Sequence, residues 1–155
     1  MLRLLAIALV LIPFAALAED APVLAEYYTD SGSLPPEYAW ETEVTIHTDG
    51  RLVLQRCTGY ETEGPACKSR RAKVDPAALE AIRAAALASG LADTPAKPSD
   101  YPMVGGSVTG GVVHLDGAKV LLISDPQEAD APRVAGVLNA VRAAIPARLN
   151  RFLTD

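Results

Sequence analysis

The chain has 155 residues, 50% of them hydrophobic and 21% charged, with 14 basic side chains against 19 acidic ones. The resulting formal charge of −5 argues against a nucleic-acid or anionic-membrane surface, because both need clustered positive charge. Only two cysteines are present, too few for a metal-ribbon or multi-disulfide scaffold.

Residues 1–18 have the three parts of a secretory signal peptide: Arg3 as the positive start, Leu4 to Ile12 as the apolar run, and Ala16-Leu17-Ala18 as the small-residue cleavage pattern. The apolar run falls short of the roughly 20 residues a spanning helix needs. Cleavage before Glu19 is therefore expected, with no stable membrane insertion afterwards and a soluble periplasmic product. Cleavage removes one basic residue and leaves about 137 residues at a charge near −6, the size of one ordinary domain.

Residues 19–40 lose periodicity and collect turn formers, Asp30-Ser31-Gly32-Ser33 and Pro35-Pro36. They read as an N-terminal arm preceding a single domain over 41–155. The arm holds Tyr27, Tyr28, Tyr38 and Trp40 in a chain otherwise poor in aromatics. Together with Tyr60 these form the candidate binding surface, since such rings combine a large contact area with a polar tip. The plainer reading is that the arm lays its rings over part of the domain as packing material.

From Glu41 to Cys57 two alternating runs flank Asp49-Gly50, a strong hairpin signal. A two-residue loop would mix polar and apolar side chains on both faces. A three-residue loop, Thr48-Asp49-Gly50, pairs Ile46 with Leu52 and Val44 with Leu54, placing these on one face. Glu43, Thr45, His47, Arg51 and Gln55 then share the other face with Val53. The three-residue loop is the expected register. Next, Cys57 and Cys67 flank a segment containing Gly59, Gly64 and Pro65; in an exported chain they are expected to form one structural disulfide. They do not form a Cys-X-X-Cys redox motif. Lys68, Arg70, Arg71 and Lys73 follow as a short basic cluster, read as a solvated edge strand or loop.

Asp75-Pro76 reads as the N-cap and first position of a helix, Leu79, Ile82 and Ala86 as its buried stripe, and Gly90 as its left-handed stop. Pro95, Pro98 and Pro102 mark an extended connector. The glycines between Val104 and Gly111 do not make a phosphate-binding loop: no Gly-Lys-Ser/Thr follows them, and a strand comes next rather than a helix. Ser107 to Ser124 reads as a second hairpin turning at Asp116-Gly117, its register left open. A second helix is expected from Ala131 to Ile145, with Asp130 near its cap and Val134, Val137, Leu138, Val141 and Ile145 at helical spacing. After Pro146, a final turn carries Leu149 and Phe152.

The parts line up as hairpin, helix, hairpin, helix, with His47 and His114 each two residues before the turn aspartate. The expected fold is α+β, a ββαββα pseudo-repeat forming a four-stranded, mostly antiparallel sheet with both helices on one face. His47 and His114, with Asp49 and Asp116, are weak metal candidates if the turns meet in space; otherwise each histidine hydrogen-bonds locally. No metal and no cofactor is expected.

Three segments carry a resemblance: Leu-Pro-Pro-Glu-Tyr-Ala-Trp at 34–40, Gly-Tyr-Glu-Thr-Glu-Gly-Pro-Ala-Cys-Lys at 59–68 and Ile-Pro-Ala-Arg-Leu-Asn-Arg-Phe-Leu at 145–153. The chain resembles small uncharacterised exported proteins of Gram-negative bacteria. The resemblance implies export, and no activity comes with it. No Ser/His/Asp or Cys/His set stands in a recognisable context, so no catalytic residue is assigned. The expected function is a non-enzymatic periplasmic binding or protein-interaction module for a protein or small ligand. The alternatives are a small periplasmic enzyme and an inhibitor-like domain presenting the disulfide loop from Gly59 to Ala66.

Overall fold

A computed structural model of the chain describes residues 21–59, 66–101 and 105–153. The expected signal peptide, Tyr60 and most of the loop between the cysteines lie outside the described residues. The strands are β1 (Val23–Asp30), β2 (Trp40–His47), β3 (Arg51–Thr58), β4 (Ala66–Lys73), β5 (Val108–Leu115) and β6 (Ala118–Leu122), and the helices are α1 (Pro76–Ser89) and α2 (Ala131–Ala144). They build one antiparallel sheet in the order β4-β3-β2-β1-β5-β6. The α+β class is as expected, but the sheet has six strands rather than four.

Neither β1 nor β4 is among the four expected strands, although the basic cluster of β4 is expected as an edge strand or loop. β1 occupies the segment read as an arm and lies at the middle of the sheet, between β2 and β5. Its register shifts between Val23 and Ala25, so Leu24 and Ala25 are consecutive and both fully buried. That bulge breaks the period of two on which strand recognition rests. β4 is exposed at every residue except Ala72. An edge strand beyond the helices has no apolar face to display, and the basic cluster belongs to it.

The first hairpin has the three-residue loop. Ile46 pairs with Leu52 and Val44 with Leu54. The Gly50 amide donates to the His47 carbonyl at 2.9 Å, and Gly50 takes φ +83°, the left-handed bulge position that closes a type I turn. A side chain at Gly50 would press on the Val74 carbonyl. The second hairpin differs: Leu115 pairs with Ala118 across a two-residue loop, with Gly117 at φ +76°. The two tips are therefore not copies of one turn.

Helix α1 begins where Asp75 accepts from the Ala77 amide at 2.8 Å, with Pro76 in the first turn. It ends at Gly90 in the left-handed conformation, and Leu91 folds back into the core. Its buried residues are Leu79, Ile82 and Ala86. Helix α2 buries Val134, Val137, Val141 and Ala144. Asp130 does not cap α2 with its side chain; its carboxylate accepts instead from the Lys97 amide at 2.9 Å and from Arg133 at 2.7 Å. Arg133 also donates to the Ser89 carbonyl at 2.9 Å and the Thr94 carbonyl at 2.8 Å. One guanidinium thus joins the start of α2 to the end of α1 and to the connector.

The helices cover the sheet face carrying Ala25, Tyr27, Val44, Ile46, Leu52, Leu54, Val113, Val120 and Leu122, which form one core with the helix stripes. The final 3-10 turn, Ala147–Phe152, closes the corner over β2 and β3. There the Phe152 carbonyl accepts from Thr42 at 2.7 Å and from Arg56 at 3.0 Å. Cys57 and Cys67 are directly opposed on β3 and β4 and joined by a disulfide, their Cα atoms 4.0 Å apart. Among the described residues no helix is long and apolar enough to cross a membrane.

Candidate binding surface

Alternation along each strand sends every second side chain away from the helices. On β1 these are Glu26, Tyr28 and Asp30; opposite them β2 places Thr45, Glu43 and Glu41 in turn, and β5 places Val112, Gly110 and Val108. Farther out lie Val53 on β3 and Leu121 on β6, paired with Thr45 and Val112. Val53 is half-buried and Leu121 exposed. No described element packs on this face, and the segment read as an arm contributes a strand to the middle of the sheet.

The candidate aromatics are dispersed. Tyr27 points into the core and is 4% exposed. Trp40 is buried at the other end of the same inner face, with the Arg56 guanidinium 4.5 Å from its ring centre. Tyr38 stands in the 3-10 turn Pro36–Tyr38 and is 65% exposed. Tyr60 lies outside the described residues. Among the described candidates, Tyr28 alone reaches the bare face. The single-residue alternation that separates Tyr27 from Tyr28 is legible only once β1 is known to be a strand.

Tyr28 is held by what lies beneath it. A side chain at Gly110 would run into the Tyr28 ring and hydroxyl, so the phenol lies over the glycine and fills the place of its missing side chain. An aromatic across from a strand glycine restores the packing the glycine lacks. Beside the ring is a shallow cavity of about 250 Å³ lined by Glu26, Tyr28, Glu43 and Thr45 together with backbone of the inner-facing neighbours. The centre of the bare face is therefore one half-exposed aromatic ring flanked by carboxylates.

The histidines each have a separate partner. His47 Nδ1 lies 2.7 Å from the Ala21 carbonyl oxygen and 3.4 Å from Arg51 Nη2. His114 Nε2 is 3.6 Å from Glu26 Oε1 across the β1–β5 pair. Among the described residues no three His, Cys, Asp or Glu side chains gather in a metal-holding group. Among the described residues, the Asp49 and Asp130 carboxyls are held below the usual range. For Asp49 the Arg51 amide is the chief cause, with the Arg51 and Lys73 charges adding to it; for Asp130 it is the Lys97 amide and then Arg133. Asp49 sits in the hairpin turn and Asp130 ties the start of α2 to the connector, each answered by a backbone amide and a basic side chain, the pattern of structural groups rather than of a poised acid and base.

Neither protein-family models nor curated protein sequences match this chain.

Proposed function

We propose that the protein is an exported, non-enzymatic binding module whose ligand lies on the helix-free face of the sheet, centred on Tyr28. The observation that carries this reading is the half-exposed Tyr28 ring, seated over Gly110 and bordered by Glu26 and Glu43, in the middle of a sheet face that no described element covers. A fixed aromatic contributes contact area at small entropic cost, and its carboxylate border selects a partner segment bearing cationic side chains. Export is supported by the signal-like segment at residues 1–18, the resemblance to small exported proteins, and the intramolecular disulfide.

Capture of partners from a periplasmic extract on immobilised protein tests the reading. Tyr28→Ser combined with Glu43→Lys should abolish capture while circular dichroism remains that of the wild type. Tyr27 must be left intact, because it belongs to the core. Capture that survives the double substitution refutes the surface. N-terminal sequencing of periplasmic protein should begin at Glu19; recovery of Met1 in the membrane fraction refutes a cleaved leader.

A further inference from the structure

The second feature lies on another part of the molecule, the free edge of the sheet at β4. Among the described residues this strand is hydrogen-bonded to β3 alone, so every second pair of its backbone N–H and C=O groups faces outward. Along its eight residues it carries Lys68, Arg70, Arg71 and Lys73 and no acidic residue, in a chain whose formal charge is −5.

Lysines and arginines on an edge commonly guard it against unwanted pairing. A guard needs only dispersed charge, whereas here the charge is concentrated at a cost. Lys68 stands directly opposite Arg56, a like-charge cross-strand pair that by itself disfavours the sheet. Next to them the Phe152 ring holds two more guanidinium groups, Arg70 at 5.3 Å and Arg151 at 4.9 Å from its centre. Cation–π contact offsets part of the repulsion and fixes where these charges sit. Between them is a cavity of about 240 Å³ lined by Arg56, Thr58, Ala66, Lys68 and Phe152.

We infer that β4 is a docking edge for an extended acidic segment of a partner protein, which adds a strand to the sheet and seats one acidic side chain in the cavity beside Lys68. Strand addition draws its affinity from main-chain hydrogen bonds and its selectivity from pockets that take alternate side chains. The edge supplies the first, and the cavity with its cationic rim the second. The inference does not depend on the helix-free face, because Lys68 and Arg70, opposite Arg56 and Leu54, lie on the other side of the sheet.

The test uses the disulfide-bonded protein and a synthetic peptide of alternating Glu and Val, matched to the eight residues of β4, with binding measured by titration calorimetry. The peptide should bind, and Lys68→Glu with Arg70→Glu should weaken it by about tenfold or more. Lys97→Glu, on the connector, should leave binding unchanged. On the wild-type protein, methylating alternate backbone nitrogens of the peptide should weaken binding to a similar extent, because it removes the strand-forming donors without altering charge. This second arm is independent of whether the double variant folds. Absence of binding at low salt overturns the inference, as does binding indifferent to backbone methylation, which would indicate charge attraction alone. Self-association of the protein that is broken by Lys68→Glu would also overturn it, by assigning the edge to a second copy of the chain.

Discussion

Replacing Ile46 by alanine tests the register that organises the whole sheet. Ile46 is fully buried, paired with Leu52 on β3 and with Ala25 on β1, and belongs to the core beneath the helices. The substitution removes three carbon atoms; at about 0.8 kcal/mol per buried methylene the transfer loss alone is about 2.4 kcal/mol. The cavity left behind adds to this, and the neighbouring strands are too tightly paired to close it, so the total should fall at about 3–4 kcal/mol. With a urea dependence of about 1–3 kcal/mol per molar, the denaturation midpoint should fall by about 1–4 M. Val53→Ala is the internal control. Val53 sits one strand away on the bare face, half-buried and with no element above it. It loses two carbons that are already partly wet, so the cost should stay below about 1 kcal/mol. His47→Ala removes the ring's contacts with the Ala21 carbonyl and with Arg51 and should cost about 0.5–1.5 kcal/mol. Equal losses for Ile46→Ala and Val53→Ala in urea melts would refute both the register and the open face.

Gly110→Ala should destabilise the protein by about 1–3 kcal/mol, because the new methyl group displaces the Tyr28 ring; most of that loss should vanish in a Tyr28→Ala background, a non-additivity read from a double-mutant cycle. Replacing Cys57 and Cys67 together by serine should cost about 2–3 kcal/mol by loop entropy, and peptide mapping without reduction should recover the two cysteines linked. Arg133→Ala should lower the thermal midpoint and speed amide exchange at Thr94 and Lys97, since the donors to Ser89 and Thr94 and the partner of Asp130 are lost together. The depressed carboxyls of Asp49 and Asp130 stabilise the fold above the ordinary aspartate pKa of about 3.9, and that contribution disappears as pH falls through their lower folded-state values. Asp130→Asn should therefore flatten the stability profile below about pH 4 while leaving the slope above pH 6 unchanged; a profile with the wild-type slope in acid would remove Asp130 from the account.

Local chemistry was enough to specify the elements whose determinants are neighbours in the chain. Asp75, Pro76 and Gly90 delimit α1 without reference to anything distant, because a cap and a left-handed stop act within one turn. Gly50 sets the first hairpin's loop, and the alternation on either side of it then leaves one register with an apolar face. The spacing of Cys57 and Cys67 suited the crosslink that pairs β3 with β4. What tertiary structure alone decided was the place of β1 and β4. The partners of β1 on β5 are about eighty residues away, as in the Thr29–Thr109 hydroxyl contact, and its bulge erases the period that would have revealed it. The basic side chains of β4 read as a solvated edge strand or loop, and it is the ladder β3 offers that makes it the strand. The aromatic cluster of the N-terminal segment followed from these two facts: once β1 enters the middle of the sheet, Tyr27 and Tyr28 must face opposite ways, one into the core and one onto the bare surface. Adjacency in sequence says nothing about sharing a face when the backbone between two residues is extended.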